Sequence, residues 1–222
     1  MIKKLLSFLL PIPVEIIPSN VSDQLELTWY NGKLLLDTKH TNYSYGNLQK
    51  VLRKGLLKIG SDKINQMQHI LILGVAGGSV VKTLTEEFNF DKQITGVELD
   101  PVVIKISNKF FNLNDISNFE IILDDANKYV AETKLLFDLI IIDIFEDCFM
   151  PEFLYSNQFT NNIKRILKPK GYIIFNTIVL NKTAEEKNKL YKNQFETTKF
   201  AFESFPNIDD KNELFLIYKE YE

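Results

Sequence analysis

Most of the chain, from residue 69 onward, alternates between short apolar runs and longer amphipathic segments. The apolar runs predict strands, which read HILILG, QITGVEL, FEIIL, FDLIIID, GYIIFNT and NELFLIYKE. The segments between them predict helices over SVVKTLTEEF, PVVIKISNKFF, ANKYVAET and SNQFTNNIKRILK, followed by a long polar helix near residues 182–203. Because strands this apolar need cover on both faces, the pattern predicts an α/β fold with a Rossmann-like, doubly wound, mostly parallel sheet.

The N-terminal region follows a different pattern. The segment QLELTWY alternates polar and apolar positions, the dipeptide Asn-Gly follows, and KLLLD supplies a second run. Asn-Gly between two such runs is a strong signal for a β-hairpin. A helical repeat then begins at Leu48 and ends at Gly60. We therefore expect a small β-hairpin region over residues 1–47 and a Rossmann-like domain over residues 48–222.

The first residues, MIKKLLSFLLPIPVEII, combine two lysines with an apolar stretch, as a targeting segment does. Pro11 and Pro13 interrupt the stretch, no small-residue cleavage motif follows, and it is too short to span a bilayer. We expect a short amphipathic helix packed on the body of the protein or on a partner subunit, and hence a homodimer. Peripheral contact with a membrane is the alternative, without stable membrane insertion.

Composition excludes several functional classes. The 222 residues are 45% hydrophobic, which supports one sizeable core, and the net charge of −3 provides no basic field for nucleic acid. Cys148 is the single cysteine, so the chain has no internal disulfide framework and we expect a reducing, cytoplasmic location. His40 and His69 lie far apart in sequence, and we expect no metal site.

Acidic and glycine residues cluster immediately after the predicted strands. The clusters lie at 74–79, 98–100, 124–125 and 143–147. Parallel strands bring their carboxyl ends to one edge of the sheet, where doubly wound folds bind ligands. We therefore expect these four clusters to form one site.

The glycine loop and the acid after the next strand together indicate a nucleoside ligand. Gly74 permits a tight turn, and Gly77 and Gly78 would let a ligand approach the backbone. Glu98 would accept hydrogen bonds from both ribose hydroxyls. As structural alternatives, the glycines serve only a turn and Glu98 is a neighbour of the helix cap Asp100.

The chemistry of the clusters narrows the ligand. The loop carries no Walker motif and no neighbouring Lys or Arg to balance phosphate charge, and acids at several strand ends would repel a dinucleotide. A nucleoside with a cationic centre suits them, and S-adenosylmethionine is such a ligand. We expect Asp125 to accept the adenine amino group and Asp124 to cap the next helix. Asp143 would place a carboxylate near the reacting amine or sulfonium, or would only cap a loop.

The segments LILGVAGGS, GVELDPVVIKISNKFF, EIILDDANKYV and FDLIIIDIFED, in series, resemble the spermidine synthase family within the class I S-adenosylmethionine-dependent methyltransferases. The resemblance covers about residues 25–180 and implies that Glu98 binds ribose and Asp125 binds adenine. It also implies that Asp143 is the catalytic base for an amine and that Tyr45 lies at the amine end. The expected cofactor-binding set is completed by their neighbours, which are Gly74, Ala76, Gly77, Gly78, Leu99 and Ala126.

Two departures from the family pattern change the expected chemistry. Aminopropyltransferases of the family carry an aspartate in the glycine loop, where this chain has Gly77. They also carry an aspartate as the second acid of the catalytic segment, where this chain has Glu146. An acid at position 77 would repel the carboxylate of intact S-adenosylmethionine, and glycine removes that repulsion. We therefore expect intact S-adenosylmethionine, or methylthioadenosine as a product, rather than the decarboxylated cofactor.

The sequence leads to one preferred function and two alternatives. The preferred one is a methyltransferase on a small or amine-bearing acceptor, with Asp143 orienting or deprotonating the acceptor and Glu146 and Asp147 holding a cationic substrate. The acceptor pocket would be lined chiefly by the loops at 40–47 and 144–158. The alternatives are an aminopropyltransferase with a divergent site and a non-catalytic nucleoside-binding protein.

Overall fold

The computed structural model describes residues 2–19, 21, 23–38, 42–44, 47–146, 149–195, 199–209 and 211–220. These residues form two sheets, one small and antiparallel, the other seven-stranded and mostly parallel. The predicted site residue Tyr45 lies outside the described residues, as do His40, Asp147 and Cys148.

The small sheet contains the predicted hairpin and extends it on both sides. Its strands are β1 (Ile12–Pro18), β2 (Gln24–Tyr30), β3 (Lys33–Thr38) and β4 (Asn42–Ser44), in that spatial order and all antiparallel. Asn31 and Gly32 both have positive φ, as the tight turn between β2 and β3 requires. The hairpin prediction is confirmed, and the strands on either side of it had not been predicted.

The N-terminal segment is attached to this hairpin by a few contacts and leaves most of its apolar side chains exposed. Helix α1 (Ile2–Leu6) is followed by Ser7, whose buried hydroxyl accepts a hydrogen bond from the Gly32 amide at 3.0 Å. Phe8 lies directly over Gly32. In the described part of the chain, no helix is long and apolar enough to cross a membrane.

The large sheet has the strand order β10-β11-β9-β8-β5-β6-β7. The strands from β9 to β7 in that order are parallel, whereas β11 and β10 add antiparallel strands at one edge. The strands are β5 (His69–Leu73), β6 (Gln93–Glu98), β7 (Phe119–Leu123), β8 (Phe137–Ile142), β9 (Leu167–Ile178), β10 (Phe200–Asp209) and β11 (Asn212–Lys219). The mostly parallel α/β fold predicted from the sequence is confirmed.

Helices cover both faces of the large sheet. They are α2 (Asn47–Ile59), α3 (Ser61–Gln66), α4 (Ser79–Lys82), α5 (Pro101–Phe111), α6 (Ala126–Glu132), α7 (Asn157–Ile166) and α8 (Lys182–Asn193), and α4 continues as a π-helical turn over Thr83–Glu87. One apolar cluster joins α2 and α4 to one face of the sheet, and a second joins α6, α7 and α8 to the other face. Burial on both faces explains why the central strands are almost entirely apolar.

The C-terminal part corrects one prediction about secondary structure. The long polar helix predicted near 182–203 ends at Asn193, and residues 200–209 form the edge strand β10. Phe200 and Phe202 pack against the second apolar cluster, while Ala201 and Glu203 between them are exposed. The alternation of buried and exposed side chains every second residue is typical of a strand, and it determines the structure of residues 200–209.

Candidate functional site

A cavity of about 740 Å³, including its open mouth, lies where the carboxyl ends of β5, β6, β7 and β8 meet. Strand β5 has β6 on one side and β8 on the other, so the cavity occupies the switch point of the sheet. The structure therefore brings together the four clusters that follow these strands. The predicted residues that line the cavity are Gly74, Ala76, Glu98, Leu99, Asp125, Ala126, Asp143 and Glu146.

The rest of the lining is mainly apolar and was not assigned to the site residue by residue. Phe145, Pro151 and Phe153 come from the loop after β8, and Val21 comes from the segment between β1 and β2. The prediction that the loop at 144–158 lines a pocket is consistent with these positions. Val21 had no recognisable signal, because its position depends on how the small sheet packs against the large one.

Gly74 allows two strand ends to approach each other closely. Its φ is +86°, and a Cβ atom there would lie 2.2 Å from the carbonyl oxygen of Asp143. The amide of Asp143 donates to the Leu73 carbonyl at 2.9 Å, which fixes β8 against β5 at this point. A side chain at position 74 would push the two strand ends apart, so glycine positions Asp143 at the cavity wall.

Gly77 and Gly78 are buried and do not line the cavity among the described residues. Gly78 is the N-cap of α4 with φ of +75°, and a Cβ atom there would lie 2.4–2.9 Å from side-chain atoms of Leu113. The space at Gly78 is therefore used by packing within the protein, where the sequence analysis had expected the approach of a ligand. Backbone strain in this loop also falls on Ala76, whose φ is +48°.

The Glu98 carboxylate is buried and accepts four backbone hydrogen bonds. One oxygen accepts from the amides of Val75 and Ala76, both at 3.1 Å, and the other accepts from Leu99 at 2.9 Å and Asp100 at 3.0 Å. Burial raises the pKa of this carboxyl, and the backbone donors oppose the shift. Because a carboxylate has about four lone-pair positions, Glu98 ties the glycine loop to the turn after β6.

The cap of α6 is Asp125 and not Asp124. Asp125 is the N-cap of α6, and its side chain accepts from the Lys128 amide at 2.9 Å. Asp124 accepts from the Asp125 amide and from the Lys128 ammonium instead. The expectation that Asp124 caps the helix is wrong, because Asp125 has the extended backbone and the spacing to the third helical residue that a cap requires. Both aspartates line the cavity.

Asp143 provides a buried carboxyl with a raised pKa at the wall of the cavity. Its side chain accepts a hydrogen bond at 2.9 Å from the Asn176 amide, which lies in β9 and is fully buried. Burial raises the pKa of Asp143 to about 6, and the Asn176 hydrogen bond opposes that shift. A carboxyl with such a pKa exchanges protons close to neutral pH, as a general base does. The alternative of a loop cap is not supported by the contacts shown for this carboxylate.

Glu146 lies at the mouth of the cavity and is exposed. Its backbone forms an antiparallel bridge with Phe149, which closes a short turn. The carboxylate therefore reaches solvent and any ligand that enters from it. Three residues were predicted to take part in catalysis. Asp143 and Glu146 line the same cavity, and Tyr45 lies outside the described residues.

Comparison with known proteins agrees with this geometry. The model of the family described as spermine/spermidine synthase domain matches residues 50–209. The polyamine aminopropyltransferase of Vibrio vulnificus is 30% identical over 131 residues, which are 58% of this chain and 44% of that protein. The chain therefore spans less than half the length of this curated relative.

Methyltransferases also resemble the chain. The eEF1A lysine and N-terminal methyltransferase homolog of Drosophila melanogaster is 23% identical over 175 residues, covering 70% of this chain and 25% of that protein. The crystal structure of human methyltransferase-like protein 13 in complex with SAH superposes with a TM-score of 0.66, at 19% identity, over 80% of this chain and 83% of that one. The structural likeness shows a shared methyltransferase fold.

Proposed function

Because the chain belongs to the spermine/spermidine synthase domain family, we propose that it is an S-adenosylmethionine-dependent methyltransferase acting on a small, amine-bearing acceptor. The observation that carries the proposal is a cavity lined by Asp143, with a pKa of about 6, and by Gly74 and Ala76 of a glycine loop that has no acidic side chain. The first feature suits removal of a proton from an amine. The second leaves room for the carboxylate of the intact cofactor.

The lining of the cavity fits a cationic nucleoside. Its fifteen described residues include five carboxylates, at Glu98, Asp124, Asp125, Asp143 and Glu146, and none of the fifteen is Lys or Arg. Such a field attracts a sulfonium or an ammonium and repels phosphates. The apolar side chains of the same cavity offer a surface for an adenine ring, and Leu99 at the rim is 46% exposed. We assign adenine recognition to this apolar surface with Asp125.

Glu98 has a narrower role than simple recognition of ribose. Its two oxygens already accept four backbone donors, so ribose hydroxyls that reach it would have to share those acceptors. We propose that Glu98 holds the loop over 75–76 and the turn over 99–100 in the shape that receives the nucleoside.

Asp143 supplies the acid–base step. S-adenosylmethionine, when bound, provides an electrophilic methyl group. The acceptor nitrogen needs a free lone pair to attack it, and Asp143 takes the proton that the nitrogen gives up. Glu146 at the mouth attracts a cationic acceptor from solvent. Alignment of the acceptor with the methyl group contributes the larger part of the rate.

Aminopropyl transfer is the second candidate, and the likeness to the Vibrio vulnificus enzyme favours it. Both reactions need a base for an amine, so Asp143 does not discriminate between them. The residue that does is Gly77, where the family resemblance places an aspartate in aminopropyltransferases. Gly77 is not among the glycines with positive φ, so its backbone allows a side chain.

Calorimetric titration with S-adenosylmethionine and with its decarboxylated form tests the proposal. We expect the wild type to prefer the intact form, and Gly77→Asp to lose that preference through repulsion of the carboxylate. If the wild type prefers the decarboxylated form, aminopropyl transfer is the supported reaction. If it binds neither compound, the non-catalytic alternative is supported.

Turnover provides the second half of the test. We would screen simple diamines, beginning with putrescine, for formation of S-adenosylhomocysteine or methylthioadenosine. Asp143→Asn should keep cofactor affinity within about threefold and lower turnover at least about a hundredfold, in the range typical of a lost general base. Loss of cofactor binding in this variant would show that Asp143 is a binding or structural residue.

A further inference from the structure

Two buried or partly buried asparagines connect Asp143 to β11, the strand next to the edge of the sheet. The Asn212 side-chain amide donates to the Asn176 side-chain oxygen at 2.9 Å, and the Asn176 amide donates to Asp143 Oδ1 at 2.9 Å. We propose that Asn176 and Asn212 are positioning residues that fix the orientation and protonation of the Asp143 carboxylate. This inference rests on the proposed role of Asp143 as a base.

The pairing of three strands brings these side chains together. Ile142 at the end of β8 pairs with Phe175 of β9, so Asp143 lies beside Asn176. Asn176 in turn pairs with Leu214 of β11, and Asn212 is the next residue on the same face of that strand. Diagonal neighbours of this kind are within reach of polar side chains. We call the hydrogen bonds from Asn212 through Asn176 to Asp143 the relay. The relay follows from the register of these strands and does not depend on the conformation of a loop.

The direction of the hydrogen bonds carries the chemical consequence. An asparagine side chain can face a neighbour with its oxygen or with its amino group. Because Asn212 donates to the Asn176 oxygen, Asn176 must turn its amino group toward Asp143. A donor facing the carboxylate favours the ionised form that accepts a proton. Asn212 thus stabilises the orientation in which the amino group of Asn176 faces the base.

Other charges near Asp143 belong to the same cavity. Glu98, Asp124, Asp125 and Glu146 line it together with Asp143. Burial favours the protonated form of Asp143, and the hydrogen bond from Asn176 opposes burial. Among the described groups around Asp143, the relay is therefore what keeps this carboxylate available as a base.

Asn212→Asp reverses the relay with little change in size. An aspartate at this position accepts a hydrogen bond, so Asn176 would turn its amino group toward it and its oxygen toward Asp143. We expect the pKa of Asp143 to rise by about one unit or more, since an acceptor facing a carboxyl favours the protonated form. Asn207→Asp is the control, because it adds the same charge to β10 of the same hairpin outside the relay.

The shift is measured by NMR titration of protein labelled with ¹³C at the aspartate carboxyls, with Asp143→Asn identifying the signal. A double-mutant cycle with Asn176→Leu then separates the relay from simple charge repulsion. We expect position 212 to lose most of its effect once Asn176 is replaced. A pKa that does not move in Asn212→Asp, or that moves equally in Asn207→Asp or with Asn176 replaced, would overturn the relay.

The pH profile of turnover distinguishes failure of the relay from failure of the proposed function. In Asn212→Asp, the acidic limb of the profile should move upward by the same amount as the pKa of Asp143, with folding checked by thermal unfolding. If the pKa shifts while the profile stays in place, the relay is supported and the role of Asp143 as the base is refuted.

Discussion

Replacing Asp143 with asparagine should make the protein more stable at neutral pH while it removes the base. Burial raises the pKa of this carboxyl from 3.8 to about 6 in the folded protein. Between these values folding takes up a proton, so the wild type loses stability as the pH rises through this window. The asparagine variant has no such loss, and its amide oxygen can still accept from Asn176.

The magnitude follows from the two pKa values. At 1.36 kcal/mol per unit, the raised pKa of Asp143 destabilises the wild type by about 3 kcal/mol at pH 7.5 and by about 1 kcal/mol at pH 4.5, relative to low pH. The stability of Asp143→Asn relative to the wild type should therefore increase by about 2 kcal/mol between these two pH values. The effect is an upper value, because the carboxylate keeps some contact with solvent at the cavity.

Urea unfolding followed by far-UV circular dichroism measures this difference. Fluorescence is less suitable, because Trp29 is the single tryptophan and lies in the small sheet. Asp62→Asn, at an exposed position in α3, is the matched control for loss of one carboxylate. A relative stability that stays constant within about 0.5 kcal/mol from pH 4.5 to 7.5 would refute a buried, ionisable Asp143.

Two further predictions concern the residues that shape the glycine loop. Glu98→Gln presents an amino group to two of the four backbone donors. We therefore expect the free energy of unfolding in urea to fall by about 2 kcal/mol or more, and cofactor binding in calorimetry to weaken. Unchanged stability would mean that the four hydrogen bonds contribute little. Gly78→Ala should cost more than Gly60→Ala, because both have positive φ but only Gly78 has the Leu113 side chain in the way. Equal losses for the two alanine variants would show that packing against Leu113 is readily relaxed.

The parts of the fold and site that sequence predicted well depend on local signals. Apolar runs identify the central strands because these strands are buried on both faces. Once the strands are known, parallel pairing places the residues after them at one edge, so Gly74, Glu98 and Asp143 were expected to meet. Asp100 as the cap of α5 also follows from local chemistry, and its side chain accepts from the Val102 amide.

The parts that sequence did not predict depend on long-range pairing or on fine backbone geometry. Asn176 and Asn212 are 36 residues apart, and only the register of β9 with β11 shows that they meet. The choice between Asp124 and Asp125 as the cap depends on which residue has the extended backbone. The apolar alternation of edge strand β10 is brief and is interrupted by Pro206, so it is easily read as the end of the polar helix before it.

The connection of Asp143 to the last strand has a consequence for protein synthesis. The described residues that line the cavity all precede residue 154, and a ribosome produces them well before Asn212. In a chain that ends before β11, the Asn176 oxygen would have no donor from position 212. We therefore predict that the Asp143 carboxylate takes the proposed orientation only after the C-terminal hairpin has joined the sheet.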